Sequence, residues 1–278
     1  MKTLKGRAET EAIEIQLLLE GVFRCYGYDF REYSLASLTR RVWNVVRSEG
    51  LSTISGLQEK VLHDPNCLDR LLLGLSVHVS SMFRDPAFFR SLKTKIIPLL
   101  RTCPFIRVWN AGCSTGEETY SVAILLREDG LYERSRIYAT DMSAVVLKRA
   151  REGIFPLEAM REYTHNYVKS GGCRSFSEYY TAGHGHAVFH PSLRENIVFS
   201  QHNLATDGSF NEFNLILCRN VMIYFATPLQ DRVHRLLYES LATSGILGLG
   251  AKESLQFTPH QDDYEPVVPG QKLYRRVL

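Results

Sequence analysis

The sequence has no cysteine pair at C-x-x-C spacing: its six cysteines, Cys25, Cys67, Cys103, Cys113, Cys173 and Cys218, stand singly. That excludes a zinc ribbon and a disulfide framework, and it leaves reduced, mostly buried thiols of the kind a cytoplasmic protein carries. Long apolar runs are missing too. No stretch approaches the roughly 18 to 20 residues of a membrane span, and glutamates interrupt the opening MKTLKGRAETEAIEIQLLLE, which therefore lacks a signal-peptide core. The expectation is a cytoplasmic protein without direct membrane insertion. Charge of one sign is scarce: a formal net charge of +3 over 278 residues gives no nucleic-acid footprint. Internal repeats and low-complexity tracts are also absent. What remains, 45% hydrophobic and 23% charged residues, is a globular chain long enough for one large domain or two smaller ones.

Two kinds of text follow one another along the chain. From Glu9 to about Leu75, IEIQLLLEGVF, LASLTRRVWNVV and CLDRLLLGL carry apolar residues at three- and four-residue spacing, which predicts a small all-helical domain over 1–75. A helical stretch, PAFFRSLKTKIIPLL, then leads into short β-rich runs alternating with amphipathic helices, the signature of parallel βαβ units over 76–278. The predicted strands are FIRVWN, SRIYAT, NIVFSQ, FNLILCR and GILGLGA, with KLYRRVL returning antiparallel beside the last. That closing hairpin fits the methyltransferase version of the Rossmann-like fold better than the dehydrogenase version. Between 156 and 194 the rhythm fails, and YVKSGGCRSFSEYYTAGHGHAVFH reads as an inserted, turn-rich β element.

The chemistry concentrates at WNAGCSTGEETYSVAILL. A strand, a turn holding Gly112 and Gly116, and a helix place backbone N–H groups and a helix N-terminus against a ligand. Asp141, at the end of the next strand, can accept both hydroxyls of an adenosine ribose. The turn is not G-x-G-x-x-G. Glu117 and Glu118 would oppose the pyrophosphate of a dinucleotide, which disfavours a dehydrogenase. S-adenosylmethionine has no phosphate, and its ammonium and sulfonium favour a carboxylate nearby. One of the two glutamates is read as an ordinary first-turn residue compensating the helix dipole.

The segments SSMFRDPAFF, NAGCSTGEETYSVAILL, IYATDMSAVVLKRAREGIF, QHNLATD and LCRNVMIYF, in this order, resemble the CheR family of chemoreceptor glutamate methyltransferases. The resemblance implies an α/β, Rossmann-like S-adenosylmethionine-dependent methyltransferase fold with a small inserted β-subdomain, preceded by a helical receptor-recognition domain. It implies methyl transfer to glutamate side chains on the cytoplasmic methylation helices of chemoreceptors, leaving S-adenosylhomocysteine. Carried over position by position, it places His78, Ser80, Arg84, Gly112, Glu118, Asp141, Asn203, Leu204, Arg219 and Asn220 at the cofactor, with Arg84 and Tyr224 in catalytic roles. His78 departs from the asparagine usual at its position. The family's recognition helix is basic, and SLTRRVWNVVRSEG supplies Arg40, Arg41 and Arg47, with Arg40 and Arg47 about two helical turns apart on one face. Some relatives hold a receptor pentapeptide on the inserted β-subdomain. The protein is expected to act as a monomer.

Other signals have plainer readings. His184, His186 and His190 lack cysteine neighbours or a helical H-x-x-x-H and read as loop histidines, with no metal. Cys113 stands where a helix N-terminus can lower a thiol pKa, although a small side chain filling the turn accounts for it. His202 is expected to pack or cap. The alternative to an enzyme is a catalytically weak S-adenosylmethionine- or S-adenosylhomocysteine-binding scaffold with the same fold, for which His78 is the only sequence feature.

Overall fold

The computed structural model describes residues 2–75 and 80–277, the side chains of residues 2–5 and 7 excepted. Contacts divide the chain into two units: residues 1–78 with 224–232, and residues 79–223 with 233–278.

The first unit holds helices α1 (Lys2–Tyr26), α2 (Leu35–Ser48), α3 (Ile54–His63) and α4 (Pro65–Leu75). The sequence pattern had announced only three. The extra helix, α3, is short, and its start is set by Thr53, whose hydroxyl accepts from the Gly56 N–H at 3.0 Å. Ile15, Val22, Leu38, Val42, Leu57 and Leu71 are buried between the helices. Arg41 is a correction. It was expected on the partner-facing basic surface, yet it is 7% exposed, donates to the Leu75 carbonyl, and stacks its guanidinium 4.5 Å from the centre of the Tyr224 ring. Neighbours on a helix point about 100° apart. Arg40 and Arg47 therefore stay exposed while Arg41 turns inward with Val42 and Val45.

The second unit opens with α5 (Pro86–Ser91), a π-helical turn over Leu92–Ile96 and α6 (Ile97–Leu100). A βα alternation follows: β1 (Ile106–Ala111), α7 (Glu117–Glu128), β2 (Ser135–Asp141), α8 (Ala144–Glu152), β3 (Ile154–Pro156), α9 (Met160–Lys169), β4 (Tyr180–Gly183), β5 (His186–Phe189), β6 (Ile197–Gln201), β7 (Phe213–Cys218), α10 (Thr227–Ser240), β8 (Leu241–Leu249), β9 (Tyr264–Pro266) and β10 (Leu273–Arg276). The main sheet runs β6-β2-β1-β7-β8-β10-β9. Its first five strands are parallel, β10 returns antiparallel to β8, and β9 adds an edge that the sequence did not announce. β1 and β7 are mostly buried along their whole length, as central strands of a parallel sheet are.

The inserted element is a separate antiparallel sheet, β3-β5-β4, which begins at Ile154, slightly before its expected start. It also holds a helix. Met160, Tyr163 and Tyr167 recur at three- and four-residue spacing and are buried, which is why α9 forms inside a stretch rich in turn residues. Among the described residues, no helix is long and apolar enough to cross a membrane.

Replacing Arg41 by Leu should leave the Leu75 carbonyl without its donor. The expected loss is about 1–3 kcal/mol from the helical unit, read as an earlier first transition in urea, whereas Arg40→Leu should leave that transition in place.

Candidate functional site

The site grows from the carboxyl ends of β1, β2, β6 and β7, the edge at which parallel sheets bind ligands. After β1, the N–H groups of Gly112 and Cys113 both donate to the Thr140 carbonyl at 2.8 Å, pinning the glycine turn to the end of β2. Gly112 has φ +73°, and a Cβ there would lie 2.5 Å from a Val221 methyl, so only glycine lets the turn lie against the segment after β7. The Ser114 N–H donates to one oxygen of Asp141 and the Ser143 N–H to the other, each at 3.0 Å. Burial raises the Asp141 carboxyl above its usual range, and these backbone donors partly offset it.

The two glutamates that open α7 part company. Glu118 accepts from Asn110 Nδ2 at 2.8 Å and from Arg219 Nη1 at 2.6 Å. Arg219 is buried; its other terminal nitrogen donates to Asp85 at 2.7 Å and to the Arg84 carbonyl at 3.3 Å, and its plane lies 4.0 Å over the Phe88 ring. The Arg219 Nε–H is buried and has no partner among the described residues. Glu117 turns away, accepting from Thr115 Oγ1 at 2.7 Å and pairing with the Ser80 and Tyr163 side chains. Burial raises its carboxyl as well. Glu117 is thus more than a first-turn charge: it is a buried acceptor at the centre of a hydroxyl cluster.

Around β7 the decisive residue is one the sequence reading missed. The N–H groups of Asn220, Val221, Met222 and Gly250 converge on the buried carboxylate of Glu253 at 2.6–2.9 Å. This holds Asn220 in the left-handed region at φ +60°. A Cβ on Gly250 would lie 2.7 Å from a Glu253 oxygen. The available signal was an acidic residue two positions after the apolar GILGLGA run, where no surface helix follows to explain it. After β6, the His202 N–H donates to the Asp141 carbonyl at 3.1 Å, Asn203 Oδ1 accepts from the Ala205 N–H at 3.0 Å, and Leu204 is buried. His202 itself packs its ring against Trp109 and Phe210.

Ser80, Arg84, Gly112, Glu118, Asp141, Asn203, Leu204, Arg219 and Asn220 all lie in the second unit. Tyr224 is counted with the helical unit, where its carbonyl accepts from the Ser34 N–H at 2.9 Å. His78 lies outside the described residues. Cys113 is buried and its thiol is pushed well up by burial, so the turn position does not make it a thiolate. Among the described residues no cluster of His, Cys, Asp and Glu could hold a metal ion. The acceptors beside the glycine turn, Glu118 and Asp141, fit a cofactor that is cationic and free of phosphate.

The chain matches the family model described as "CheR methyltransferase, SAM binding domain" over residues 78–272 and the one described as "CheR methyltransferase, all-alpha domain" over residues 13–76. It is similar to Cher3 of Pseudomonas putida, a protein named as a methyltransferase, at 52% identity, covering 95% of this chain and 97% of that one. It is also similar to the chemotaxis protein methyltransferase of Listeria monocytogenes, at 29% identity over 84% of this chain and 87% of the relative. Chemotaxis protein methyltransferase 2 of Pseudomonas aeruginosa is 29% identical over 89% of this chain and 88% of the relative.

Replacing Glu253 by Ala should strand four backbone donors in a buried turn. The expected cost is roughly 3 kcal/mol or more, seen as a lower melting temperature in calorimetry. A wild-type melting temperature in this variant would show that the turn stands without its acceptor.

Proposed function

The chain belongs to the CheR methyltransferase family, whose cofactor is S-adenosylmethionine, and from that premise we propose that it methylates glutamate side chains on the cytoplasmic methylation helices of chemoreceptors, acting as a monomer in the cytoplasm. The observation that carries the proposal is the strand-end turn in which Gly112, Glu118 and Asp141 set carboxylates where a phosphate-bearing cofactor would be repelled.

The residues expected to hold the cofactor are Ser80, Arg84, Gly112, Glu118, Asp141, Asn203, Leu204, Arg219 and Asn220, with the His78 side chain also expected from its position in the family motif. When bound, the cofactor supplies a methyl group on a sulfonium, already activated for displacement. A glutamate with a pKa near about 4.3 is an anion at neutral pH. No general base is required. The protein's task is to set a carboxylate oxygen in line and to strip water from it. Arg84 is assigned to orienting the incoming carboxylate or that of the cofactor, and Tyr224 to lining the methyl-transfer cavity. Each turnover removes one negative charge from the acceptor helix, and a neutral ester among acidic helices shifts their packing equilibrium.

The helical unit is assigned to receptor recognition. With Arg41 buried, the basic face of α2 reduces to the exposed Arg40 and Arg47, and a face of this sign steers glutamate-rich helices toward it.

The decisive experiment is calorimetric titration with S-adenosylhomocysteine and NADH, followed by transfer of labelled methyl to a receptor cytoplasmic fragment. Binding of the sulfur ligand alone and a label released by mild base, as from an ester, are expected; a base-stable label would overturn glutamate O-methylation. Asp141→Ala should weaken S-adenosylhomocysteine by about tenfold or more, the scale of two lost hydrogen bonds. In the wild type that affinity should fall on acidification at a pH above the ordinary aspartate range of about 3.9, because a raised carboxyl gains its proton sooner. A flat profile down to that range would remove Asp141 from the ribose. Arg40→Glu with Arg47→Glu should slow receptor methylation about tenfold at low salt, with cofactor affinity unchanged.

A further inference from the structure

We propose that α9, the helix of the inserted element, sets the geometry of the cofactor site, with Tyr163 and Asn166 as positioning residues for the 80–85 loop. The proposal rests on the assignment of Ser80 and Arg84 to the cofactor and adds a control that the assignment does not contain.

Four consecutive loop residues are each tied to α9. Ser80 shares the Glu117 carboxylate with Tyr163. The Ser81 hydroxyl donates to Glu162 at 2.6 Å and accepts from Asn166 Nδ2 at 3.3 Å. The Met82 carbonyl accepts from the same Asn166 nitrogen at 3.2 Å. The Phe83 ring is buried, 5.2 Å from Tyr167 and 6.2 Å from Phe176, both in the inserted element. Residues 162, 163, 166 and 167 lie on one side of the helix at i, i+1, i+4 and i+5, so a single face makes all of these contacts except that of Phe176, which follows the helix.

The loop needs such an outside hold. Phe83 and Asp85 are both left-handed, at φ +52° and +61°, a conformation that non-glycine residues keep only where the surroundings impose it. The methyltransferase core contributes from the other side, through Ser121 Oγ on the Phe83 N–H at 2.9 Å and through Arg219 on the Arg84 carbonyl and Asp85. Arg84 therefore stands at the junction of two clamps, one from the sheet and one from α9. Release of the α9 clamp would relax Phe83 toward an ordinary backbone conformation and turn both Ser80 and Arg84 out of place.

The test compares Asn166→Leu, which keeps the branched shape and removes the two donated bonds, with Glu162→Ala and Glu162→Gln, the last of which keeps the acceptor for Ser81. His165→Ala, an exposed position on the same helix, serves as control. Two quantities are read: the dissociation constant for S-adenosylhomocysteine and amide hydrogen exchange over residues 80–85. Asn166→Leu is expected to weaken the ligand about tenfold and to speed exchange of the Phe83 amide, while exchange in β1 and β7 stays at the wild-type rate. Glu162→Ala should weaken the ligand several-fold, and Glu162→Gln should restore it. Wild-type affinity and exchange in Asn166→Leu would overturn the proposal; if that variant does not fold, equal affinities for the Glu162 pair would overturn it. Failure of the wild-type protein to bind S-adenosylhomocysteine would instead sink the cofactor assignment itself.

Discussion

The buried guanidinium of Arg219 is the contact on which the site depends. It joins the end of β7 to the first turn of α7 through Glu118 and to the 84–85 segment through Asp85, while Phe88 closes its face. A buried cation is costly unless its partners are well placed, and the cost of removing one partner exceeds the worth of the pair. That asymmetry gives the arrangement its rigidity. Glu118 cannot swing away without stranding Arg219, and Arg219 cannot move without releasing the loop that carries Arg84. Asn110 completes the set from β1, so four segments share one electrostatic joint.

Strain gathers around this joint. Phe83, Asp85, Ser114 and Asn220 are all left-handed without being glycine, and each such residue costs about 1–3 kcal/mol unless the surroundings fix it. Different partners fix them: Asp141 accepts from Ser114, Glu253 from Asn220 and Ser121 from Phe83, while Arg219 donates to the Arg84 carbonyl and Asp85. In each case a side chain from another element captures a backbone group and aims a turn toward the strand ends. The carboxylates of this unit thus divide into those that shape backbone, Glu253 above all, and those that face the ligand side.

What was legible in the sequence was whatever depends on neighbours in the chain. The five parallel strands and the returning hairpin could be read from apolar runs and turn residues, because each strand's burial is written in its own alternation or continuity. The cationic nature of the cofactor could be read from two glutamates beside a glycine turn. Contacts across the chain were not legible. Nothing local says that Arg41 points inward while Arg40 does not, since the difference is one of phase against a helix, α4, whose carbonyl at Leu75 lies 34 positions away. Glu253 went unread for the same reason. Its role exists only because the 220–222 turn comes alongside. α9 was hidden by the glycines and serines that surround it, and its buried tyrosines had no visible partner until the inserted sheet and the 80–85 loop closed over them.

The opposite fates of Glu117 and Glu118 follow from helix geometry, and they give each of the two acids at this helix start its own task. Adjacent residues on α7 diverge by about 100°, so a single glutamate cannot face both β7 and the inserted element. Glu118 faces the sheet, where Arg219 and Asn110 each hold one of its oxygens. Glu117 faces Ser80 and Tyr163, in surroundings so depleted of water that its carboxyl is biased toward the neutral form. Placed side by side on one helix start, the pair fixes both walls of the glycine turn: one wall is fastened to the sheet by charge, and the other to the inserted helix by hydrogen bonds among hydroxyl groups.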